Sequence, residues 1–309
     1  IGNQSSSGEF ILLGLSDRPH LELLLFVLIL ISYVMTLLGN TTIIVVSCLD
    51  PHLHTPMYFF LSNLSFLDIC YTTSLGPQML VNFRNTCKSI PWAGCVAQLF
   101  ISLSLGSTEC VLLAVMAYDR YAAVCQPLRY MAIMSRRLCL QMAATAWLSG
   151  ISNALVKTVL TLRLPRCGQN RINHFFCEVP ALLKLACVDT SVNMTELLAS
   201  SVLLLLLPLG LILVSYGYIS AAVLKMHSVE GRHKAFNTCA SHLAVVSLFY
   251  GTAIYMYLQP PSQDQGKMVS LFYTMVTPMF NPLIYTLRNK EVHRALQRAL
   301  GRNLTAPRT

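Results

Sequence analysis

Seven long stretches of this chain are nearly free of charge. Residues 23–49, 138–156, 197–224, 235–263 and 268–287 contain no Asp, Glu, Lys or Arg, while 57–81 holds one acid, Asp68, and 89–118 holds one, Glu109. A helix crossing about 30 Å of hydrocarbon needs roughly 20 apolar residues. All seven stretches meet that length, with 138–156 near the short limit. Strands of a membrane barrel would be about 10 residues long and would alternate in polarity; these runs do neither. Lipid offers no partner to free backbone groups, which leaves helices as the geometry for such segments. The predicted fold is an all-α membrane protein of one domain over 1–309. It has a leader at 1–22, a seven-helix bundle at 23–287 and a tail at 288–309, with a short amphipathic helix at 290–300.

The first apolar run is helix 1 and not a signal peptide. The leader before it carries Glu9, Asp17 and Glu22 against one base, Arg18, whereas a signal peptide has a basic start and a shorter apolar core. The lack of an initiator Met points to a trimmed or processed start. An odd number of spans puts the termini on opposite sides. Thirteen Lys and Arg fall on the side of the C-terminus and nine on the other. That bias predicts a cytoplasmic C-terminus and an extracellular N-terminus at the plasma membrane. Two glycosylation acceptors, at Asn3 and Asn193, lie on the outer side in this topology; three further triplets, at Asn40, Asn63 and Asn303, do not.

Composition agrees with the pattern: 54% of residues are hydrophobic and 11% charged, against about 25% charged in soluble chains. The net charge of +9 does not indicate nucleic acid, because the bases flank spans and form no stripe with interleaved aromatics. Their expected role is topology and contact with anionic membrane lipids. Of 11 cysteines, Cys87, Cys95, Cys167, Cys177 and Cys187 fall on the outer side, where disulfides persist. Five allow at most two bridges, and spacing does not fix the pairing. Three of them lie in the connection 157–196, far longer than its neighbours. Such a loop reads as a lid over a cavity, or as a loop that needs staples merely to be ordered.

No nucleophile–base set, phosphate loop or zinc spacing occurs, so an enzyme is not expected. His52 and His54 lie in a short turn without a third ligand. No repeat suggests a duplicated transporter. Asp68 and Glu109 are the only acids within the spans, and no base lies at their depth. Two carboxylates cannot neutralise each other. Either they share a cation such as sodium, or at least one holds a proton and they serve as hydrogen bonds between helices.

Four longer motifs carry a specific resemblance. They are Leu53-His54-Thr55-Pro56-Met57-Tyr58-Phe59-Phe60-Leu61 entering helix 2, and Met116-Ala117-Tyr118-Asp119-Arg120-Tyr121-Ala122-Ala123-Val124-Cys125 ending helix 3. Lys234-Ala235-Phe236-Asn237-Thr238-Cys239-Ala240-Ser241-His242-Leu243 enters helix 6, and Pro278-Met279-Phe280-Asn281-Pro282-Leu283-Ile284-Tyr285 closes helix 7. Together with Gly39-Asn40 and Ser215-Tyr216 they resemble the odorant receptors of the rhodopsin-like, G-protein-coupled superfamily. Ala122 and Val124 stand where that family more often has Val and Ile.

The resemblance implies a receptor for small, volatile, mostly apolar molecules, acting through a stimulatory heterotrimeric G protein of the olfactory form to raise cyclic AMP. A rhodopsin-like receptor for another ligand, or a transporter, are the alternatives. It implies disulfides Cys95–Cys177 and, from the remaining pair, Cys167–Cys187, leaving Cys87 free. It assigns coupling to Asp119, Arg120, Tyr121, Tyr216, His242, Asn281, Pro282 and Tyr285, and places Asn40 and Asn281 beside the Asp68–Glu109 site. It selects a ligand wall of Ser102, Leu103, Gly106 and Ser107 on helix 3 and Ser200, Ser201 and Leu204 on helix 5. Tyr250, Ala253, Ile254 and Tyr257 on helix 6, with Leu271 and Thr274 on helix 7, complete it. No cofactor is expected beyond the sodium ion. Pro208 and Pro282 should interrupt helices 5 and 7.

Overall fold

The computed structural model describes residues 9–13, 19–84, 88–168, 170–258, 263–287, 292 and 294–298. Seven long helices make up the bundle: α1 (Pro19–Leu49), α2 (Pro56–Arg84), α3 (Trp92–Cys125), α4 (Arg136–Leu162), α5 (Ser191–Lys225), α6 (Val229–Leu258) and α7 (263–287). Among the described residues, α1, α3, α5 and α6 are long and apolar enough to cross a membrane on their own. α2, α4 and α7 carry more polar side chains and turn several of them inward, as Asp68, Thr72, Thr274 and Asn281 show.

α3 is the axis of the bundle. It packs on α2, α4, α5 and α6, and contact between α1 and α7 closes the ring. In its most apolar stretch 56% of residues are buried, against 17% in α1 and α5. α1 and α5 therefore present most of their apolar surface outward, which suits lipid as solvent. Two close approaches fix the packing. A Cβ on Gly150 would stand 2.4 Å from the Ser104 carbonyl oxygen and 2.1 Å from the Thr108 hydroxyl, so α4 meets α3 only because that residue is glycine. A Cβ on Gly39 would stand 2.8 Å from the Pro282 ring.

The prolines act where the sequence pattern places them. Pro208 follows the widened turn Val202–Leu206 of α5 directly, and Pro282 stands more than a turn beyond the widened turn Phe272–Val276 of α7. Pro208 has no N–H for the carbonyl of Leu204, four residues back. Pro282 likewise leaves the Pro278 carbonyl without a donor in its own helix, and the amide of Asn40 supplies one from α1 at 3.3 Å. The Gly39-Asn40 pair thus serves one contact: the glycine admits the proline ring and the asparagine answers the carbonyl it frees.

The end of the bundle that carries the disulfides, the outer end, is capped by a small sheet. β1 (Glu9–Leu12) lies between β2 (Ser89–Pro91), antiparallel, and β3 (Arg171–Ile172), parallel. Phe10 and Leu12 are buried in this cap, and Arg166 stacks 5.2 Å over the Phe10 ring. Part of the leader is therefore built into the fold. Cys95–Cys177 and Cys167–Cys187 are the disulfides among the described residues, with Cα separations of 5.5 and 5.9 Å. Cys87 and Asn3 lie outside the described residues. Asn193 sits buried in the first turn of α5, a position that does not favour its reading as a glycosylation site. The connection between α4 and α5 is also shorter than charge placement suggested, because α4 continues to Leu162 and α5 begins at Ser191. Of the amphipathic helix expected at 290–300, residues 292 and 294–298 are helical and the rest lies outside the described residues. Arg298 there pairs with Asp50 of the turn between α1 and α2 at 2.7 Å.

Candidate functional site

A cavity of about 970 Å³ opens in the outer half of the bundle, bounded by α3, α4, α5, α6, α7 and the connection between α4 and α5. Ligand pockets run to about 300–1,000 Å³, so it has room for a small molecule. Ser102, Leu103, Gly106 and Ser107 of α3 line it, as do Ser200, Ser201 and Leu204 of α5 and Ala253 of α6. The hydroxyls of Ser102 and of Ser200 and Ser201 donate to their own helix, to the carbonyls of Leu99 (3.1 Å) and Leu197 (3.1 and 2.7 Å). What they offer the cavity is acceptor oxygen. Ser107 accepts a 2.8 Å bond from the Asn153 amide of α4. Gly106 keeps the wall open, since a Cβ there would lie 3.3 Å from the Tyr273 hydroxyl.

Four residues expected on the wall stand off it. Tyr250 is turned inward, and its hydroxyl donates to the Cys110 carbonyl at 3.0 Å. Thr274 is fully buried, with its hydroxyl bonded to the Ser270 carbonyl at 2.8 Å. Leu271 packs in the core and Ile254 against it. The side chain of Tyr257 lies outside the described residues. In each resolved case the widened turn or the helix rotation favours a neighbour: Phe249, Ser270 and Tyr273 line the cavity instead.

Other residues that sequence reasoning missed come from the lid and the helix ends. His174, Phe176, Glu178, Val179 and Lys184 reach the cavity from the connection between α4 and α5, with Lys157 from α4 and Lys267 from α7. The lid thus forms part of the wall. Rings of His174, Phe175 and Phe176 pack on one another, tilted or edge-on, with centroids 4.5–5.0 Å apart. His174 Nε2 lies 3.5 Å from Glu178 Oε1. Burial, with help from the charges of Lys267 and Lys184, lowers His174 to about 3. Burial lifts Glu178 to about 7, offset in part by Lys184. Near neutral pH the histidine is therefore uncharged and the carboxyl about half protonated. The signal in the sequence was the run His174-Phe175-Phe176-Cys177, whose cysteine is tied to α3.

At the inner end of α3 the polar side chains form a closed network. Arg120 is bonded to Asp119 through Nε (3.0 Å) and Nη2, and the Tyr130 hydroxyl donates to the other oxygen of Asp119 at 2.7 Å. Asp119 is fully buried and Arg120 nearly so. Next to them, His242 Nε2 is 3.1 Å from the Leu113 carbonyl and Nδ1 is 2.7 Å from the Tyr216 hydroxyl. A carbonyl only accepts, so Nε2 carries the proton and Nδ1 accepts from the tyrosine. One imidazole thereby ties α6 to both α3 and α5. Tyr121 takes no part; its ring packs on Tyr118 and on Tyr218 of α5. Tyr285 is buried beside this region, and its hydroxyl has no hydrogen-bond partner among the described residues.

Between cavity and network lie the two acids of the spans. The Asn281 amide donates to both oxygens of Asp68, at 3.0 and 3.3 Å. Glu109 interacts electrostatically with Asp68 and with the same Asn281. Among the described residues, Glu109 Oε1, Asn281 Oδ1 and Asn40 Oδ1 are buried oxygens without a hydrogen-bond partner. A carboxyl and two amides with unanswered oxygens, beside the Asp68 carboxyl, fit a small hard cation. Asn40 is held by the Pro278 carbonyl, and no bond joins it to Asp68 among the described residues.

A family model described as "Olfactory receptor" matches residues 28–303. Human "Olfactory receptor 2G3" is 62% identical over 98% of this chain and 99% of its own length. For human "Olfactory receptor 2B2" the figures are 62%, 98% and 85%, and for mouse "Olfactory receptor 2C1" 58%, 98% and 98%. Among solved structures the fold is similar to that of squid rhodopsin, with a TM-score of 0.71 at 18% identity, covering 95% of this chain and 89% of that one.

Proposed function

The chain belongs to the olfactory receptor family, and from that premise we propose that it detects small, volatile, mostly apolar molecules in the outer cavity and raises cyclic AMP through a stimulatory heterotrimeric G protein of the olfactory form. It is a signalling receptor and not an enzyme, seated in the plasma membrane as a multi-pass protein. Its N-terminus is extracellular, its C-terminus cytoplasmic, and its flanking bases meet membrane lipids.

One observation carries this reading: the ligand-sized cavity and the Asp119–Arg120 network lie on the same helix, α3, with α6 bonded to it twice between them. Ser102 and Arg120 are 18 residues apart, or about 27 Å at about 1.5 Å per residue. No odorant touches both, so the signal passes through helix movement. Phe249 is on the cavity wall, and the next residue, Tyr250, bonds to α3 through the Cys110 carbonyl. Two turns further along α6, His242 bonds to the Leu113 carbonyl. A ligand that displaces Phe249 strains the first bond and then the second. Release of the inner end of α6 frees Arg120 for the G protein. A sodium ion shared by Asp68 and Glu109 would hold the resting arrangement, and its loss would accompany activation.

The test is a cyclic AMP reporter in cells, read across odorants differing in length and functional group. An activating odorant should lose at least tenfold in potency against Gly106→Leu or Ser107→Leu at equal surface expression. Unchanged potency in both would refute the cavity as the odorant site. Replacing external sodium by a large organic cation should raise basal activity, and Asp68→Asn with Glu109→Gln should erase that dependence. Indifference of the wild-type receptor to sodium would favour a protonated pair.

A further inference from the structure

The cavity wall holds two lysines that are more than nine-tenths buried, Lys157 on α4 (4% exposed) and Lys267 near the start of α7 (8% exposed). They differ in what answers their charge. Lys157 has an acid facing it electrostatically, Glu196 of α5. Lys267 forms no ion pair and no hydrogen bond among the described residues, and its electrostatic neighbour is His174, which is no anion. Glu178, the one acid among the described residues of the wall, sits against His174. Four bases, Lys157, Arg171, Lys184 and Lys267, face that single carboxyl. A buried ammonium without a counter-charge is costly, and in a membrane bundle it marks where a partner belongs. Deeper in, the wall changes character to Cys110, Leu204 and Phe249.

Resting on the odorant reading above and deepening it, we propose that the cavity takes small molecules with a carboxylate head on an apolar body. The head lies against the Lys267 ammonium beside the lid, and the body points toward Leu204 and Phe249. Burial of the Glu178 carboxyl, which raises it to about 7, leaves the lid a weak competitor for that ammonium at neutral pH. An ammonium favours an anion over a neutral alcohol of equal size, so acids should outrank their alcohols.

The experiment compares straight-chain, branched and aromatic carboxylic acids with their matched alcohols in the cyclic AMP reporter. Wild type, Lys267→Gln, Lys267→Arg and Lys157→Gln are compared at matched surface expression. At least one acid should activate the wild type more potently than its alcohol. Lys267→Gln should weaken that acid tenfold or more and shift a weakly active alcohol by less than threefold. Lys267→Arg should stay within threefold of wild type, and Lys157→Gln should cost less than Lys267→Gln. An acid response that survives Lys267→Gln overturns the proposal, as does a receptor that answers alcohols and no acids; either leaves the odorant reading standing. A receptor at the surface that answers none of the compounds counts against both.

Discussion

The inner and outer ends of α3 treat their polar groups in opposite ways. At the inner end Asp119, Arg120, Tyr130, Tyr216 and His242 use one another as partners, and both imidazole nitrogens are bonded. Among the described residues at the outer end, Lys267 has no anion, and His174 Nδ1 is buried without a hydrogen bond. A saturated network has one preferred geometry and resists change until several bonds are lost together. A wall with open valences has no preferred geometry of its own and adapts to what enters. The difference separates the two tasks of a receptor: the outer end can vary its chemistry with the ligand, while the inner end keeps one switch for one kind of partner.

The largest effect should come from the seam that both ends share. Gly150→Ala places a methyl group against the Ser104 carbonyl oxygen, a backbone atom that cannot swing away. Overpacking of this kind costs about 1–3 kcal/mol or more. Flow cytometry of a tagged receptor should show most of the surface population lost, taking both ends with it. A normally expressed and responsive variant would mean the two helices are less closely seated than described.

Arg120→Ala should separate the ends. Asp119 keeps the Tyr130 hydrogen bond and can take a proton, so the fold and the cavity survive while the cyclic AMP response falls to background. Full efficacy in that variant would dissolve the division of labour. A smaller effect is expected from Tyr216→Phe, which leaves a buried imidazole nitrogen without its donor. Such a loss is worth about 1–3 kcal/mol, enough to raise basal cyclic AMP roughly fivefold if the bond belongs to the resting state alone. A lower or unchanged basal level would assign the bond to the active state as well.

The smallest effect is confined to the lid. Glu178, raised from 4.5 to about 7, favours the folded lid below pH 4.5 and loses that contribution as pH rises through about 7. His174, lowered from 6.5 to about 3, favours it above pH 6.5 and loses it as pH falls through about 3. Between pH 4.5 and 6.5 the two slopes oppose each other. Protection of residues 170–190 against hydrogen exchange, in receptor held in nanodiscs, should therefore be flat there and fall on either side. Glu178→Gln should remove the fall near pH 7 and leave the acid side in place.

The same contrast explains what could be read from the chain alone. The inner network is made of residues in fixed motifs at helix ends, so Asp119, Arg120, Tyr216 and His242 were legible together with the helices that carry them. The seven spans were legible because lipid excludes charge. That logic failed at Lys157, which counted as loop because it is charged, although it lies inside α4 on a cavity wall. A run of residues says whether a segment crosses lipid, but not which of its faces lines an internal space. On α3 four of four expected residues fall on the wall, because Ser102, Gly106 and their neighbours share a helical face. On α6 and α7 the choice slipped by one residue to Phe249, Ser270 and Tyr273. The turn that widens at 272–276 shifts the register of α7 and leaves no mark in hydrophobic periodicity. β1 was missed for a simpler reason: four residues whose partners lie far along the chain carry no local signal.

That strand also sets an order of assembly. β1 is the first element to be made, yet its parallel partner β3 follows about 160 residues later, as the pairing of Ile11 with Arg171 requires. At about 5–20 residues per second of synthesis, the strand waits on the order of 10–30 s with one edge unmatched. The disulfide Cys95–Cys177 cannot close before the same stretch has emerged. The cap therefore waits on more than half of the chain, and the seam of α1 with α7, where the Asn40 amide meets the Pro278 carbonyl, waits longer still. A slow or crowded ribosome would leave this receptor with its first helices made and its roof unfinished.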